Sequence, residues 1–324
     1  TLRRQRQMCI RDRLNSIDDG VNSVTGNVLR LEGHRQNDIA FSESSQSLVV
    51  SKFGKLKPAL VLQFIIPLLL IFLSFSSYTS ERSSGILKLL LVQGLSLRKI
   101  VFAKSITIWF IGLIFLMTTI IVQLIFVDCG LNEDVLSRLI YLLISFSTYY
   151  FILVSLTISL SVLLKNRTSS LSLIILIWVL WTIFLPTIAS NTSEKLIPLP
   201  TRAEFKEAML EDRSKGIDGH NPRGERRDAL EKETLEKYNV ENLSDLPINF
   251  SGILMQEDEE YGNMVWDKHF GSLYEKLELQ KKSYQLSGVI NPFAAVQSLS
   301  MAYSGTDMYL SLIHISEPTR LSVI

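Results

Sequence analysis

The sequence predicts an all-α polytopic membrane protein. It reads as a helical transmembrane bundle, a mainly helical extracytoplasmic domain, and the remnant of a partly β N-terminal extracytoplasmic segment. Three observations predict this. Four apolar runs, Pro58–Tyr78, Ser105–Val127, Leu139–Leu164 and Leu171–Ser190, contain no Asp, Glu, Lys, Arg or His, and each is close to the roughly 20 residues a helix needs to cross a bilayer. Mean hydropathy is +0.23 with 47% hydrophobic residues, high for a soluble protein, and the apolar residues are bunched. The last third of the chain carries helical periodicity and helix caps.

The balance of charge, Lys+Arg 33 against Asp+Glu 32, gives no basic excess for nucleic acid. Two cysteines, Cys9 and Cys129, make neither a disulfide framework nor a metal site. The ends look foreign. Arg4–Arg13 and Ser311–Arg320 resemble translated sequencing-adapter read-through, so residues 1–13 and 311–324 are set aside from the fold as a fusion scar would be. Residues 14–57 are polar, with short β-like pieces at Val28–Leu31 and Leu48–Val50. Lys52, Lys55 and Lys57 stand before the first span, where long stems can snorkel to headgroups.

The transmembrane domain occupies residues 58–190. Its only side-chain amides within the spans are Gln63 and Gln123, and no ionisable group offers a relay of the kind ion-coupled carriers use. Pro67 and Pro186 are expected to kink spans one and four. Helix packing is the plain reading of both, and a hinge the sharper one. Tyr141, Tyr149, Tyr150, Trp178 and Trp181 suit interfaces or helix contacts. Thr79–Lys104 carries five Lys/Arg and Lys165–Ser170 two, against one in Asp128–Arg138. The excess of positive charge therefore sets Glu81–Lys104 and Lys165–Ser170 in the cytoplasm, and residues 14–57 and 191–310 outside it.

The stretch Glu81–Lys104, within the connection 79–104, is too charged to span and too apolar for a plain loop. It reads as an amphipathic helix starting near Glu81, an elbow at Gln93-Gly94-Leu95, and Ser96 as a cap for the next span. Gly85 is expected to permit close helix approach. Such a helix lies at the membrane surface or offers a face to a soluble partner. Glu81, Arg82, Gly85, Leu87, Leu90, Leu91, Ser96, Arg98 and Lys104 match the cytoplasmic segment of ABC transporter permeases of the ABC-2 (exporter) type, which this stretch resembles. Many members have Thr in place of Ile86 and Pro in place of Gln93-Gly94. The resemblance implies that Glu81, Arg82, Gly85, Leu87, Leu90, Leu91, Ser96 and Arg98 couple to a separate ABC ATP-binding subunit. It further implies a non-catalytic permease with no directly bound cofactor, ATP being used by the partner. A second permease copy or paralogue, surrounding lipid and a multi-pass place in the inner (plasma) membrane follow from the same likeness.

Beyond the fourth span, helical patterns cover Ala203–Ser214, Gly224–Tyr238, with Glu233 and Lys237 spaced as an i,i+4 pair, and about Glu257 to Gln285. The last of these has a face of Tyr261, Val265, Phe270, Leu273, Leu277 and Tyr284. Asp218–Arg223 reads as a turn, Leu243–Gly252 as a break, and Glu257–Glu260 as a solvated helix start. Asn291 caps and Pro292 opens a helix through Tyr303 that ends near Gly305. The pieces Asp245–Gly252, Asn291–Ala302 and Ser304–Asp307 are similar to an ABC-2 subfamily with an extracytoplasmic domain of unassigned role before the last span. That likeness implies one span before Leu14 and one after Tyr309, six in all. No P-loop is present, since Gly54-Lys55 is followed by Leu56 and preceded by Val49 where the first Gly belongs. His220 and His269 stand isolated, without metal spacing. A second reading, a membrane-anchored scaffold or sensor with a binding domain outside, leaves the apolar face of Glu81–Lys104 without a purpose.

Overall fold

The computed structural model describes residues 14–18, 20, 28–29, 39–40, 57–126, 133–164 and 166–307. Both adapter-like ends, Leu48–Val50, Lys52 and Lys55 lie outside the described residues. Of the β-like pieces, Val28–Leu29 (β1) is a strand, paired antiparallel with Ile39–Ala40 (β2). The chain forms two compact units. One contains the helices up to Asn191 and those from Ser283 onward, the other Thr192–Lys282.

Among the described residues of the chain, four helices are long and apolar enough to cross a membrane: Pro58–Ser84, Leu97–Ile125, Glu133–Leu163 and Arg167–Leu196. Each outruns its apolar sequence, because charged and hydroxyl residues extend the helix past the apolar run. The first is composite. A turn at Pro58–Leu60 leads into a π-turn at Val61–Ile65, then α1 (Ile66–Ser74), and, after a break at Phe75-Ser76, α2 (Ser77–Ser84). The next helices are α3 (Ile86–Val92), α4 (Leu97–Phe126) and α5 (Glu133–Leu163). Span four is α6 (Arg167–Val179), a second π-turn at Leu180–Phe184, and α7 (Leu185–Leu196). The core of the bundle is Leu62, Leu70, Leu116, Phe146, Tyr150 and Val154. Gly112 lets three spans close up, since a Cβ there would lie 3.0 Å from a Leu70 methyl and 3.3 Å from the Tyr150 ring.

Both prolines follow a π-turn by the same spacing. Ile66 N–H reaches back five residues to the Val61 carbonyl. The next donor in that register would be residue 67, which is proline and has none. The carbonyl thus released, Leu62 O, accepts the Tyr150 hydroxyl at 2.9 Å. In span four Leu185 N–H bonds Leu180 O, Pro186 withholds the next donor, and Trp181 O accepts from Asn291 Nδ2 at 2.8 Å. An unmet carbonyl in hydrocarbon costs several kcal/mol, so a side chain must supply what the backbone lacks.

Asn291 opens the last described helix, α11 (Pro292–Ser304). Its side chain also caps Phe293 N–H, and Gly305, at φ 72°, ends the helix. The sequence set this helix within the soluble 191–310 region; the structure packs it with the spans. Phe293, Ala294, Val296, Ser300 and Ser304 are buried along it. Tyr303 stacks on Tyr141 of α5 at 5.5 Å, and Phe293 packs edge-on to Phe64 at 5.1 Å. Ser300 donates to the Asp18 carboxylate at 2.5 Å, which also takes Gln63 Nε2 at 3.4 Å and Gly20 N–H at 3.0 Å.

The second unit is built from α8 (Arg202–Lys215), α9 (Arg223–Tyr238) and most of α10 (Phe250–Leu286). A capping box joins Thr201 and Glu204 at the start of α8. α10 starts seven residues before the expected Glu257, because the Asn249 side chain takes the Ser251 N–H at 3.0 Å and its carbonyl the Gly252 N–H. Glu257–Glu260 is therefore mid-helix. Asp258 pairs with Arg223 across to α9 instead of serving a helix start. Glu211–Lys215 and Glu278–Lys282 form i,i+4 ion pairs in this unit. The Arg226 guanidinium lies 3.3 Å over the Tyr261 ring, whose hydroxyl accepts Ile217 N–H at 2.6 Å.

Candidate functional site

The stretch Glu81–Lys104 folds as two short helices joined by a glycine. Gly85 ends α2 and begins α3 at φ 79°, a left-handed conformation that glycine adopts without steric cost. A Cβ on Gly85 would meet nothing within 4 Å, so the glycine serves the bend and not a close helix approach. The elbow is a Schellman motif, in which Gly94 N–H bonds Leu91 O and Leu95 N–H bonds Leu90 O, with Gly94 at φ 86°. Ser96 caps α4 through its backbone, its carbonyl accepting Ile100 N–H.

Three spans hold α2 in place. Lys104 of α4 reaches Glu81 at 2.7 Å and donates to Ser77 O at 2.8 Å and Ser77 Oγ at 3.1 Å. Arg167 of α6 donates to Ser80 Oγ at 3.1 Å and Ser83 Oγ at 2.9 Å. Ser161 of α5 accepts Thr79 N–H at 3.4 Å. Glu81 was expected at a helix start; it lies in the second half of α2, so its charge answers Lys104 and not a helix dipole. Its other oxygen, Oε2, is buried without a hydrogen-bond partner.

From α3, Leu87 packs inward with Tyr78 and Ile100, flanked by Leu90 and Val162. The outward side is bare aliphatic surface: Ile86 is 47% exposed, Leu89 64% and Val92 86%. These three follow i, i+3, i+6 and share one face. Leu91, at 44%, stands at its edge. Around them Arg82, Lys88, Arg98 and Lys99 are exposed. The eight residues expected to act together thus divide. Glu81, Leu87 and Leu90 fasten the segment to the bundle, and Gly85 and Ser96 set its bends. Arg82, Leu91 and Arg98 are open. Sequence reasoning missed Leu89 and Val92 as members of the open face, and Arg167 as a clamp. The phase was readable once Gly85 is taken as restarting the helix; the reach of Arg167 was not.

Among the described residues no group of three or more His, Cys, Asp or Glu is placed to hold a metal ion. His269 Nε2 meets Asp212 Oδ2 at 2.9 Å, and its ring stands edge-on to Phe205 at 6.0 Å. Asp212 also takes Lys268 Nζ at 2.9 Å, while Lys268 reaches Asp218 at 2.6 Å. Burial pushes the Asp212 carboxyl up, but the Lys268 and His269 hydrogen bonds outweigh it and leave the group below the usual carboxylate range.

Two family models match. One, described as ABC-2 family transporter protein, covers residues 9–222. The other, described as a domain of unknown function (DUF3526), covers residues 202–312, from the first turn of α8 past the end of α11. Searches of curated proteins and of solved structures return no match. The first match takes in most of the chain, all four spans and the α2–α3 segment. The chain belongs to the ABC-2 family of transporter proteins, as a membrane-spanning permease component of an ABC transporter.

Proposed function

We infer that this permease couples ATP hydrolysis by a separate ATP-binding subunit to export or extraction of a substrate. The coupling surface is α3, on the cytoplasmic side of the inner (plasma) membrane, and the working unit holds a second permease copy or paralogue. One observation carries the reading: a helix pinned on its inner side by Leu87 and Leu90, with Ile86, Leu89 and Val92 bare on its outer side. Gly85 and Gly94 set its two ends and fix its pose. A rigid helix with an uncovered aliphatic face and a basic surround suits a groove with an acidic rim. Motion in the ATPase would pass through α3 to Glu81–Lys104 and Arg167, and so into spans two and four. An anchor for an outside sensor would need no such face.

The test is co-purification of the ATP-binding subunit from native membranes, at equal permease levels. A few central anchors carry most of an interface's binding energy. Leu89→Ala with Val92→Ala is therefore expected to weaken the complex at least about tenfold, roughly 1.4 kcal/mol. Equal recovery with both changes would remove α3 as the docking surface.

A further inference from the structure

Two features recur in spans one and four without any part in docking an ATPase: a π-turn followed one residue later by proline, and a foreign side chain on the carbonyl five residues before that proline. The two sites lie beside each other. Phe64, within the first π-turn, packs edge-on to Trp178 at 6.3 Å, just before the second. Phe64 also meets Phe293 at 5.1 Å, so the first turn of α11 touches one break through Phe293 and the other through Asn291. The donors come from different elements, Tyr150 from the middle of α5 and Asn291 from the cap of α11. Both donor residues are buried, Tyr150 at 0% and Asn291 at 1% exposure.

A proline and a π-turn each weaken the hydrogen-bond ladder at the point where a helix can bend. Here they coincide twice, at one level of the bundle. The weakness is repaired not within the helix but by a group on a neighbour, which can leave when that neighbour shifts. We propose that Pro67 and Pro186 are paired hinges latched by the Tyr150 hydroxyl and the Asn291 amide. With both latches closed, the ends of spans one and four remote from Glu81–Lys104 are held straight. With them open, those ends swing and the bundle parts between span four and α11. The two positioning residues thus set the balance between a closed and an open far end. This inference stands apart from the docking of α3, and its test involves no partner.

Tyr150→Phe deletes one hydroxyl and little volume. Asn291→Ser keeps a helix cap but is too short to reach Trp181. Pro67→Ala and Pro186→Ala each return an N–H to the ladder. In lipid nanodiscs, hydrogen exchange of the full chain is followed over residues 58–66 and 180–190. Tyr150→Phe should speed exchange over 58–66 at least tenfold, and less than threefold when Pro67→Ala is also present. Asn291→Ser should behave alike over 180–190 against Pro186→Ala. Such dependence on the proline is what a latch predicts and a packing contact does not. An equal effect with and without the proline, or none in either, overturns the proposal. Because every variant could alter folding, the second measurement starts from the unaltered latches and adds one latch change for comparison. Spin labels at Leu60→Cys and Ile188→Cys, in a chain with Cys9 and Cys129 changed to Ser, should show two distance populations. The longer one should gain at least threefold with Tyr150→Phe. A single distance, unmoved by that change, also overturns it.

Discussion

Gly85 is held at φ 79° with open space where a side chain would stand. Its replacement therefore tests backbone strain alone. Gly85→Val is expected to cost about 1–2 kcal/mol, the usual price of a left-handed residue with a Cβ, and Gly85→Asn less, since Asn visits that region readily. Thermal unfolding in detergent would separate the two. Asp212 makes a second test. Its folded pKa lies below the ordinary value of about 3.9, so its contribution is complete above that value and fades as pH falls through the lower folded one. Lys268 is raised by its bonds to Asp218 and Asp212, so its share holds below its ordinary pKa of about 10.4 and is lost as pH rises through the raised one. Asp212→Asn should flatten the acid limb of a stability–pH curve and leave the alkaline limb shallower. Trp266, stacked on Phe270, can report it by fluorescence once Trp109, Trp178 and Trp181 are replaced. The Asp212 bonds to Lys268 and His269 were not legible in the sequence, because they join residues 56 and 57 apart. The cap on α11 was legible, because Asn291, Pro292 and Gly305 act within one helix.

At the scale of elements, the spans were readable because hydrocarbon admits only long apolar helices. Their ends were less so, since membrane chemistry and helix chemistry stop at different residues. α10 shows the same limit: Gly252 looked like a breaker, yet the Asn249 cap precedes it and helix continues through. That α11 packs with the spans was missed for another reason. A helix of 13 residues is too short to span, and apolarity alone cannot tell a short buried helix from one packed between spans. α3 allows a sharp comparison. Leu87→Ala empties a buried site and is expected to cost about 2–5 kcal/mol, while Leu89→Ala, exposed, should stay within about 0.5 kcal/mol. Melting curves of the isolated permease would show a reversed order if α3 had its faces exchanged.

For the whole molecule, the loop charges predict an orientation that can be checked directly. Single cysteines at Ser169→Cys and Asp245→Cys, in a chain with its own two cysteines changed to Ser, are expected to be labelled from opposite sides. An impermeant reagent should reach only Asp245→Cys in intact cells. The absence of charge within the four apolar runs was plain in the sequence. The buried carboxylate that meets Gln63 was not, because Asp18 lies 45 residues upstream of it. Only the lone amide in an otherwise apolar turn hinted that something polar would come to it.

That same carboxylate has a consequence in time. Its hydroxyl donor, Ser300, is made 282 residues later, at about 5–20 residues per second. Trp181 waits 110 residues for Asn291. While the ribosome still works, the nascent spans sit in the bilayer with Trp181's carbonyl unanswered and Asp18 short of a partner. α11 completes both when it emerges, so these contacts close only after the four described spans have been made. A chain stopped at Gly288, which keeps the four described spans but lacks α11, should consequently be cleared from the membrane faster than the full one in a pulse-chase, as an unfinished product open to the cell's quality-control proteases.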